Sequence, residues 1–198
     1  MAASTSDSPS HFYSLDEYFA LEHASEARYE YWDGEIVCMS GGSLTHPRIA
    51  TNIIQRLGPK LAGGRCLAFS GDLAIKTPAL PPYRYPDVSI VCGEPEVVNI
   101  RGVDALVNPV VIVEVLSPST ENRERGEKFA AYKQIATFEE YLLVEQQVPR
   151  ITHYLRQGDG AWSSKDLTGM GSAVCLRSTG CELSLAEVYE GVAFNSLE

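Results

Sequence analysis

Near the start of the chain, apolar positions are grouped in short runs separated by turn-forming residues. Ser14-Leu-Asp-Glu17 is a capping box, which predicts a short helix from Leu15 to Glu22. The runs Arg28–Trp32 and Glu35–Met39 are strand-like, and Asp33-Gly34 between them is a strong signal for a tight turn. The pattern therefore predicts a helix followed by a β-hairpin.

The middle of the chain predicts a longer helix and then several strands. Apolar residues recur every four positions from Ile49 to Leu57, which gives a buried face to a helix that begins near His46. Pro47 fits its first turn, where a missing N–H costs nothing, and Gly58-Pro59 is expected to end it. Strands are then predicted at Cys66–Phe69, Leu73–Lys76 and Pro86–Cys92, with loops over Thr77–Pro82 and most of Gly93–Asn108.

The second half of the chain contains one run that is almost entirely apolar. Pro109–Leu116 is rich in β-branched residues, as expected of a central strand covered on both faces. From His46 onward the order is helix, three strands, helix, strand, which predicts an α/β (α+β) fold with helices packed on a mixed sheet. The later elements are predicted as a helix over Asn122–Ala136, paired strands over Glu140–Glu145 and Ile151–Leu155, and a closing helix over Leu183–Tyr189.

The length of the chain limits the number of domains. With 198 residues, one compact core is expected, so residues 11–198 are predicted to form a single domain. Met1–Ser10 is small and polar, without the apolar stretch of a signal peptide, and is interpreted as a disordered tail. No apolar run approaches the roughly 20 residues that span a bilayer, so no membrane association is expected.

The cysteines are five in number and widely spaced. That pattern argues against a disulfide framework, and the lack of a C-x-x-C pair argues against a thiolate zinc site. Cys38, Cys66 and Cys92 lie in or beside strand-like runs, where a free cysteine usually acts as a small buried apolar residue. A reducing cytoplasm is the compartment that fits this composition best.

Glu114 is the most informative residue because it lies within a run of six aliphatic residues. Burying an ionised carboxylate alone costs more free energy than one domain can supply, so Glu114 must meet a metal cation, a basic side chain or a proton. Pairing with an arginine at the strand end is the alternative to a functional role. Asp87, which follows Pro86 at the start of another strand, faces away from Val88 and Ile90. Two such carboxylates on neighbouring strands repel each other and can hold one divalent ion through oxygen.

Lys128 lies on the inner side of the predicted helix over residues 122–136. On a helical wheel, Phe129 and Tyr132 mark the buried face, and Lys128 falls roughly 50° from its centre. A surface salt bridge from Lys128 to Glu124 is the alternative, since pairs at this spacing are common on exposed helices. The wheel favours a buried anionic partner instead, and Glu114, on the strand one connection upstream, is the candidate.

Several short segments stand out together. They are Tyr29-Glu-Tyr-Trp-Asp-Gly-Glu35, His46, Tyr85-Pro-Asp87, Val113-Glu-Val-Leu-Ser-Pro-Ser-Thr120, and Arg125-Gly-Glu-Lys128 followed by Phe129 and Tyr132. Over about Ser14 to Tyr189 the sequence resembles the Uma-type restriction endonuclease family, a domain of unknown function within the PD-(D/E)XK nuclease superfamily. The resemblance implies a restriction-endonuclease-like core in which Asp87 and Glu114 bind a metal ion and Lys128 is catalytic.

The sequence departs from the superfamily pattern at the position of the lysine, and two residues have roles that stay open. Further departures, from the family pattern at Glu124, Ala136-Thr137 and Leu142, are interpreted as structural. The wider superfamily carries its lysine two residues after the glutamate, where this chain has Leu116, so in this family the lysine is expected on the next helix, at Lys128. Glu30 and His46 also match family positions. Glu30 is either a third acidic group near the metal or a partner of Arg28. His46 either binds the metal, donates to phosphate or caps its helix.

The chemistry implied by the resemblance is hydrolysis of DNA phosphodiester bonds. Mg²⁺ or Mn²⁺ would be held by Asp87, Glu114 and the main-chain carbonyl of Val115, with Lys128 orienting water or stabilising the transition state. Two alternatives stay open: a non-catalytic module that binds DNA or protein, and hydrolysis of a different phosphate ester. The net charge of −10 counts against DNA as the substrate, since nucleic-acid binders usually carry a basic surface. By analogy with other nucleases, a homodimer is expected.

Overall fold

The computed structural model describes residues 12–25, 27–39, 43–117 and 121–194. The predicted tail, Met1–Ser10, lies outside the described residues. The chain divides into two compact units, residues 1–41 and residues 42–198, and one domain over residues 11–198 stays a prediction. Across the ranges that the structure describes, no helix is both long and apolar enough to cross a membrane.

The first unit contains a capped helix and a β-hairpin, as the sequence predicts. Its elements are α1 (Leu15–Ala24), β1 (Tyr29–Trp32) and β2 (Glu35–Cys38). Ser14 caps α1: its side chain accepts the N–H of Glu17, and the Glu17 side chain accepts the N–H of Ser14. The two strands are antiparallel, and both turn residues, Asp33 and Gly34, have positive φ.

The second unit is built on a six-stranded mixed sheet. In chain order it contains α2 (Thr45–Leu61), β3 (Cys66–Ser70), β4 (Ala74–Lys76), β5 (Tyr83–Arg84), β6 (Val88–Cys92), β7 (Val97–Ile100), β8 (Val103–Leu106), β9 (Val111–Val115), α3 (Glu121–Arg123), a π-helical turn (Glu124–Lys128), α4 (Phe129–Tyr132), β10 (Glu140–Val144), β11 (Arg150–Arg156), β12 (Trp162–Thr168), β13 (Ala173–Leu176), β14 (Cys181–Ser184) and α5 (Leu185–Val188). The main sheet has the order β12-β11-β10-β9-β6-β3, with β9 and β10 parallel and the other neighbours antiparallel. All of β9 is buried, which confirms the predicted central strand.

Four further strands form a separate sheet in the order β5-β4-β8-β7. The predicted loop over most of Gly93–Asn108 is wrong, since β7 and β8 lie within it and pair through a turn at Arg101-Gly102, where both residues have positive φ. The middle one of the three predicted strands, β4, pairs with β5 and β8 and not with the main sheet. Runs of three or four residues are too short for periodicity to separate a hairpin from a loop.

Each face of the main sheet has its own apolar core. On one face, Ile53 of α2 and Val113 of β9 belong to one buried cluster. On the other face, Tyr132 of α4 and Ile112 of β9 belong to a second cluster. Adjacent residues of β9 thus face opposite cores, as strand alternation requires. Alternation also puts Glu114 on the same face as Ile112, beneath the π-helical turn and α4.

Several helix boundaries differ from the predictions. α1 ends at Ala24, two residues later than predicted. The closing helix, α5, spans only Leu185–Val188, because Leu183 and Ser184 belong to β14. α2 continues through Gly58-Pro59 and ends at Leu61. Burial of Leu61 in the core offsets the free-energy cost of the helical hydrogen bond that Pro59 cannot donate. The predicted helix over Asn122–Ala136 ends at Tyr132 and contains the π-helical turn. Apolar periodicity does not record the extra residue that such a turn inserts.

Cys66 and Cys92 form a disulfide, with their Cα atoms 4.0 Å apart. They are direct partners on the antiparallel strands β3 and β6, so the expectation that these cysteines are free is wrong. Sequence spacing could not reveal the pair because the two strands meet only through the register of the sheet. Cys38 and Cys175 are exposed, and Cys181 is buried.

Candidate functional site

Asp87 is held against the central strand by two hydrogen bonds. Its backbone N–H donates to the carbonyl of Val113 at 3.2 Å, and its Oδ2 accepts the N–H of Val115 at 2.6 Å. Antiparallel pairing of Val88 with Val113 brings Asp87 to this position, just before β6. The Asp87 carboxylate therefore lies against the peptide that joins Glu114 to Val115.

Glu114 and Lys128 form a buried ion pair. Lys128 Nζ lies 3.0 Å from Glu114 Oε1, and the two side chains are 2% and 1% exposed. Tyr132 Oη donates to the same Glu114 oxygen at 3.0 Å, and Lys128 also donates to the carbonyl of Tyr85 at 3.0 Å. The predicted contact between Lys128 and Glu114 is confirmed. The alternative interpretation, an exposed salt bridge between Lys128 and Glu124, is wrong because both residues are buried.

The π-helical turn, Glu124–Lys128, is the element that carries Lys128 to the sheet. Such turns often occur at functional sites. Tyr141 Oη stabilises this one by donating to the carbonyl of Glu124 at 3.0 Å. Glu124 is 5% exposed and its charge acts on His46, so a third acidic side chain lies near the site. From the sequence, Glu124 is considered only as the surface partner of Lys128 in the alternative interpretation, and its own burial is not predicted, although its four-residue spacing from Lys128 puts both on one helix face.

His46 lies in the first turn of α2 and faces Asp87, with Nε2 3.3 Å from Oδ1. Burial alone would lower the pKa of His46, but the hydrogen bond to Asp87 and the charges of Asp87 and Glu124 outweigh it and raise the pKa above the usual 6.5. Lys128 acts in the opposite direction. Leu44, the N-cap residue of α2, makes no side-chain capping hydrogen bond. The described contact of His46 is with Asp87, and each of its three predicted roles stays a prediction.

Glu30 lies on β1, in the first unit, and is 5% exposed. Its Oε2 accepts the indole N–H of Trp32 at 3.2 Å, since alternation puts both side chains on one face of the hairpin. Asp87, Glu114 and the other residues of the site lie in the second unit. A role for Glu30 beside them therefore stays a prediction.

The oxygen atoms beside Asp87 suit a hard divalent cation. Asp87 and Glu114 supply carboxylates. The N–H of Val115 donates to Asp87, and in a strand the N–H and C=O of one residue point to the same side, so the Val115 carbonyl also faces Asp87. Within the described residues, no three His, Cys, Asp or Glu side chains are arranged to hold a metal ion. A metal at this position would be bound by two carboxylates, one main-chain carbonyl and water.

An open cleft lies beyond the carboxyl ends of β9 and β10. Its lining residues are Leu116, Ser117, Glu121, Glu145, Gln146 and Gln147. Arg125 forms ion pairs with Glu121 and Glu145, and Ser43 Oγ donates to Gln146 Oε1 at 2.7 Å. The cleft begins one residue after Val115, so it adjoins the site. Arg125 lies in one of the segments that carry the family resemblance, but no role is predicted for it from the sequence, although its i,i+4 spacing from Glu121 is a common ion-pair signal.

Sequence comparison finds relatives over most of the chain. The family described as "Uma2: Putative restriction endonuclease" matches residues 15–186. The uncharacterized protein slr1290 of Synechocystis sp. is 32% identical over 194 residues, which cover 98% of this chain and 100% of the relative. The uncharacterized protein sll1609 of the same organism is 31% identical over 153 residues, which cover 77% of this chain and 86% of the relative.

Structure comparison finds a solved protein with the same fold. The crystal structure of a "putative nuclease belonging to DUF820" from Anabaena variabilis ATCC 29413 matches with a TM-score of 0.64 at 17% identity. The match covers 83% of this chain and 91% of that chain. The predicted mixed α/β, restriction-endonuclease-like fold is confirmed. At this identity the likeness concerns the fold alone.

Proposed function

The chain belongs to the Uma2 family, as its motifs predict, and from this premise we propose that it is a nuclease that hydrolyses DNA phosphodiester bonds with a bound Mg²⁺ or Mn²⁺ ion. The observation that supports the proposal is the cluster of Asp87, Glu114 and Lys128 around the end of β9. Two carboxylates bind a hard cation, and an ammonium group beside them acts on the phosphate that the cation attracts.

Asp87 and Glu114 are the proposed side-chain ligands of the ion. When bound, a divalent ion lowers the pKa of a coordinated water and neutralises charge that develops on the phosphate. Asp87 is fixed by the N–H of Val115, and Glu114 is fixed by Lys128 and Tyr132. Both acids are therefore positioned in advance, which reduces the cost of organising the site during the reaction.

Lys128 is the proposed catalytic side chain. As a compact point charge, its ammonium stabilises negative charge on the phosphate oxygens and orients the attacking water. The water oxygen bonds to phosphorus and loses a proton, while the bond from phosphorus to the leaving sugar oxygen breaks and that oxygen takes up a proton to become a hydroxyl. Leu116, at the position where related nucleases carry the lysine, is buried and apolar, so Lys128 supplies the charge from the helix instead.

His46 is proposed to meet the substrate from the more open side of the site. Its side chain is 31% exposed, against 16% for Asp87. In the protonated form His46 donates to Asp87 and adds a positive charge near the entering phosphate. Glu30 stays a candidate for a third acidic group at the ion.

If DNA is the substrate, the protein has to bind a polyanion although its own net charge is −10. Binding is expected through a local basic patch, or after divalent ions neutralise carboxylates, and it should weaken sharply with added salt. A homodimer and a cytoplasmic location remain predictions. The disulfide between Cys66 and Cys92 counts against a strictly reducing compartment.

Cleavage of supercoiled plasmid by the purified protein tests the proposal. Mg²⁺ and Mn²⁺ should support nicking, EDTA should abolish it, and Ca²⁺ should support it poorly because Ca²⁺ is larger and acidifies water less. Asp87→Ala and Glu114→Ala should lose both Mn²⁺ binding, measured by calorimetric titration, and cleavage. Lys128→Ala should keep the metal and lose the rate.

Glu127→Ala is the matched control, because Glu127 lies on the same helical turn as Lys128 and is exposed. It should cleave like the wild type. Undiminished cleavage by Glu114→Ala would mean a contaminant or another site, and would overturn the mechanism. A panel of other phosphate esters separates DNA from a different substrate.

A non-catalytic module that binds DNA or protein is the second candidate, and the buried pair of Glu114 and Lys128 favours it. Each charge compensates the other at 3.0 Å, so the carboxylate does not require a metal for stability. Intact metal binding without cleavage of any nucleic acid, or no metal binding at all, would support this candidate over the nuclease.

A further inference from the structure

The two edges of the six-stranded sheet differ in chemistry. β12, at one edge, carries the polar and charged run Ser163–Asp166, the kind of sequence that discourages pairing with another chain. β3, at the other edge, has the sequence Cys-Leu-Ala-Phe-Ser, with no charge and no proline, and Leu67 on it is 52% exposed. We propose that the β3 edge is the surface on which two copies of this chain pair as an antiparallel dimer.

The backbone of β3 is arranged for pairing on its outer side. The N–H of Gly93 donates to the carbonyl of its partner Arg65 at 2.7 Å, which makes these two a hydrogen-bonded pair between the strands. Alternation from Arg65 then turns the N–H and C=O of Ala68 away from β6. Among the strands of the described ranges, β6 alone bonds to β3. A two-fold axis at Ala68 would join the two copies through these groups.

This register makes the side chains of the two copies complementary. It sets Leu67 opposite the second copy's Phe69, and aliphatic–aromatic pairs stabilise antiparallel strands. It also brings Arg65 opposite the second copy's Gly71 and beside the second copy's Asp72, and both charged residues are exposed. The axis repeats each contact, so the dimer gains two apolar pairs and two pairs of opposite charge.

The interface adjoins the candidate site, although the proposal does not depend on catalysis. Gly71 packs so closely on the Pro86 carbonyl that an added Cβ would lie 2.9 Å from that oxygen and 3.6 Å from Asp87 Cα. The second copy's Arg65, opposite Gly71, therefore brings a positive charge to this side of the site.

Charge reversal across the axis tests the interface by sedimentation at micromolar concentration. The wild type should be a dimer. Arg65→Glu and Asp72→Arg should each weaken dimerisation at least about tenfold, because each reversed charge meets a like charge. An equimolar mixture of the two variants should form the heterodimer, in which both charge pairs are opposite in sign again. Lys165→Glu, on the polar edge, is the matched control and should leave the dimer intact.

A cysteine at the axis gives an independent measurement. In a background of Cys38→Ser and Cys175→Ser, Ala68→Cys should form an intermolecular disulfide, since Cα atoms of a hydrogen-bonded antiparallel pair lie about 5.5 Å apart. Ser164→Cys on β12 should not. The Ala68→Cys cross-link and the heterodimer support the proposal. A monomeric wild type, a dimer unaffected by both charge reversals, or preferential cross-linking through Ser164→Cys overturns it.

Discussion

Two glutamates are buried on neighbouring parallel strands of the main sheet, yet they meet different partners. Glu114 on β9 is 1% exposed, and Glu140 on β10 is 0% exposed. Lys128 Nζ lies 3.0 Å from Glu114, whereas His153 Nε2 lies 2.7 Å from Glu140. Strand alternation points the two carboxylates to opposite faces of the sheet, and so into different cores.

The surroundings of these two carboxylates distinguish an anchor from a candidate site. Besides contacting His153, Glu140 accepts both the hydroxyl and the N–H of Ser178 at Oε1, the N–H at 2.7 Å. These bonds tie the turn between β13 and β14 to the sheet. Glu114 instead lies beside Asp87, a second acid that bonds to the adjacent peptide. Burial alone therefore does not distinguish the two glutamates. The difference between them is a second carboxylate, just before the adjoining strand β6, and it supports the role proposed for Glu114.

The largest expected difference is in stability. Lys128→Met should lower the free energy of unfolding by about 3–5 kcal/mol, because it leaves the Glu114 carboxylate buried without its cation. His153→Gln, at the other glutamate, should cost less, since the amide still offers a hydrogen-bond donor to Glu140. Urea unfolding at neutral pH measures both. Equal losses of stability would show that Glu114 and Glu140 depend on a cationic partner to the same degree, which would contradict the difference proposed between them.

The second-largest expected difference between Glu114 and Glu140 is in catalytic activity. Glu114→Gln should lower the rate of plasmid nicking by about 100-fold or more, because it removes a charged metal ligand. Glu140→Gln should leave the rate close to that of the wild type at a temperature where circular dichroism shows both variants folded. A comparable loss in Glu140→Gln would mean that the anchor and the site are not separable.

The features of the fold that could be predicted have a local cause. The capping box at Ser14, the turn at Asp33-Gly34 and the apolar run of β9 each act within a few residues, and each is observed. The four-stranded sheet and the disulfide between Cys66 and Cys92 depend on which strands become neighbours. No local pattern records that choice.

The same limit applies to the site. Glu114 is predictable because a carboxylate in an apolar run needs a partner, and the helical wheel points Lys128 toward it. Glu140 escapes prediction because it stands beside Glu139 at the start of its strand, where a carboxylate usually faces water. The π-helical turn and the bond from Tyr132 to Glu114 arise from tertiary packing. The sequence therefore identifies a buried carboxylate such as Glu114, which stands in an apolar run where a charge is unexpected. It does not identify one such as Glu140, which stands where a charged residue is ordinary.

A smaller effect should come from Tyr132, which donates to Glu114 Oε1 at 3.0 Å. Tyr132→Phe should cost about 1.5–3 kcal/mol of stability, and it should weaken Mn²⁺ binding about tenfold because the carboxylate loses a group that orients it. Tyr141→Phe is the matched control, since it removes a buried hydroxyl from the Glu124 carbonyl in the same aromatic cluster. It should cost stability without changing the Mn²⁺ affinity. Unchanged Mn²⁺ affinity in Tyr132→Phe, measured by calorimetry, would limit that tyrosine to a structural role.

The dependence of stability on pH should give the smallest and most selective difference, because Glu140 and His46 titrate in separate pH ranges. At Glu140, burial alone would raise the pKa, but hydrogen bonds from His153 and Ser178 outweigh it and hold the pKa below the usual 4.5. Its contribution is therefore present above pH 4.5 and is lost as pH falls through the folded-state pKa. The raised pKa of His46 has the opposite consequence: its contribution is complete below pH 6.5 and is lost as pH rises through the folded-state pKa.

Melting temperatures measured from acid to mildly alkaline pH test this separation. Glu140→Gln should flatten the decline below pH 4.5 and leave the curve above pH 6.5 parallel to that of the wild type. His46→Gln should do the reverse, because it removes the group whose protonated form is favoured by Asp87 and Glu124. A single variant that changes both ranges would show that the two buried carboxylate sites are coupled across the parallel strands β9 and β10. In that case neither glutamate could be assigned its role independently of the other.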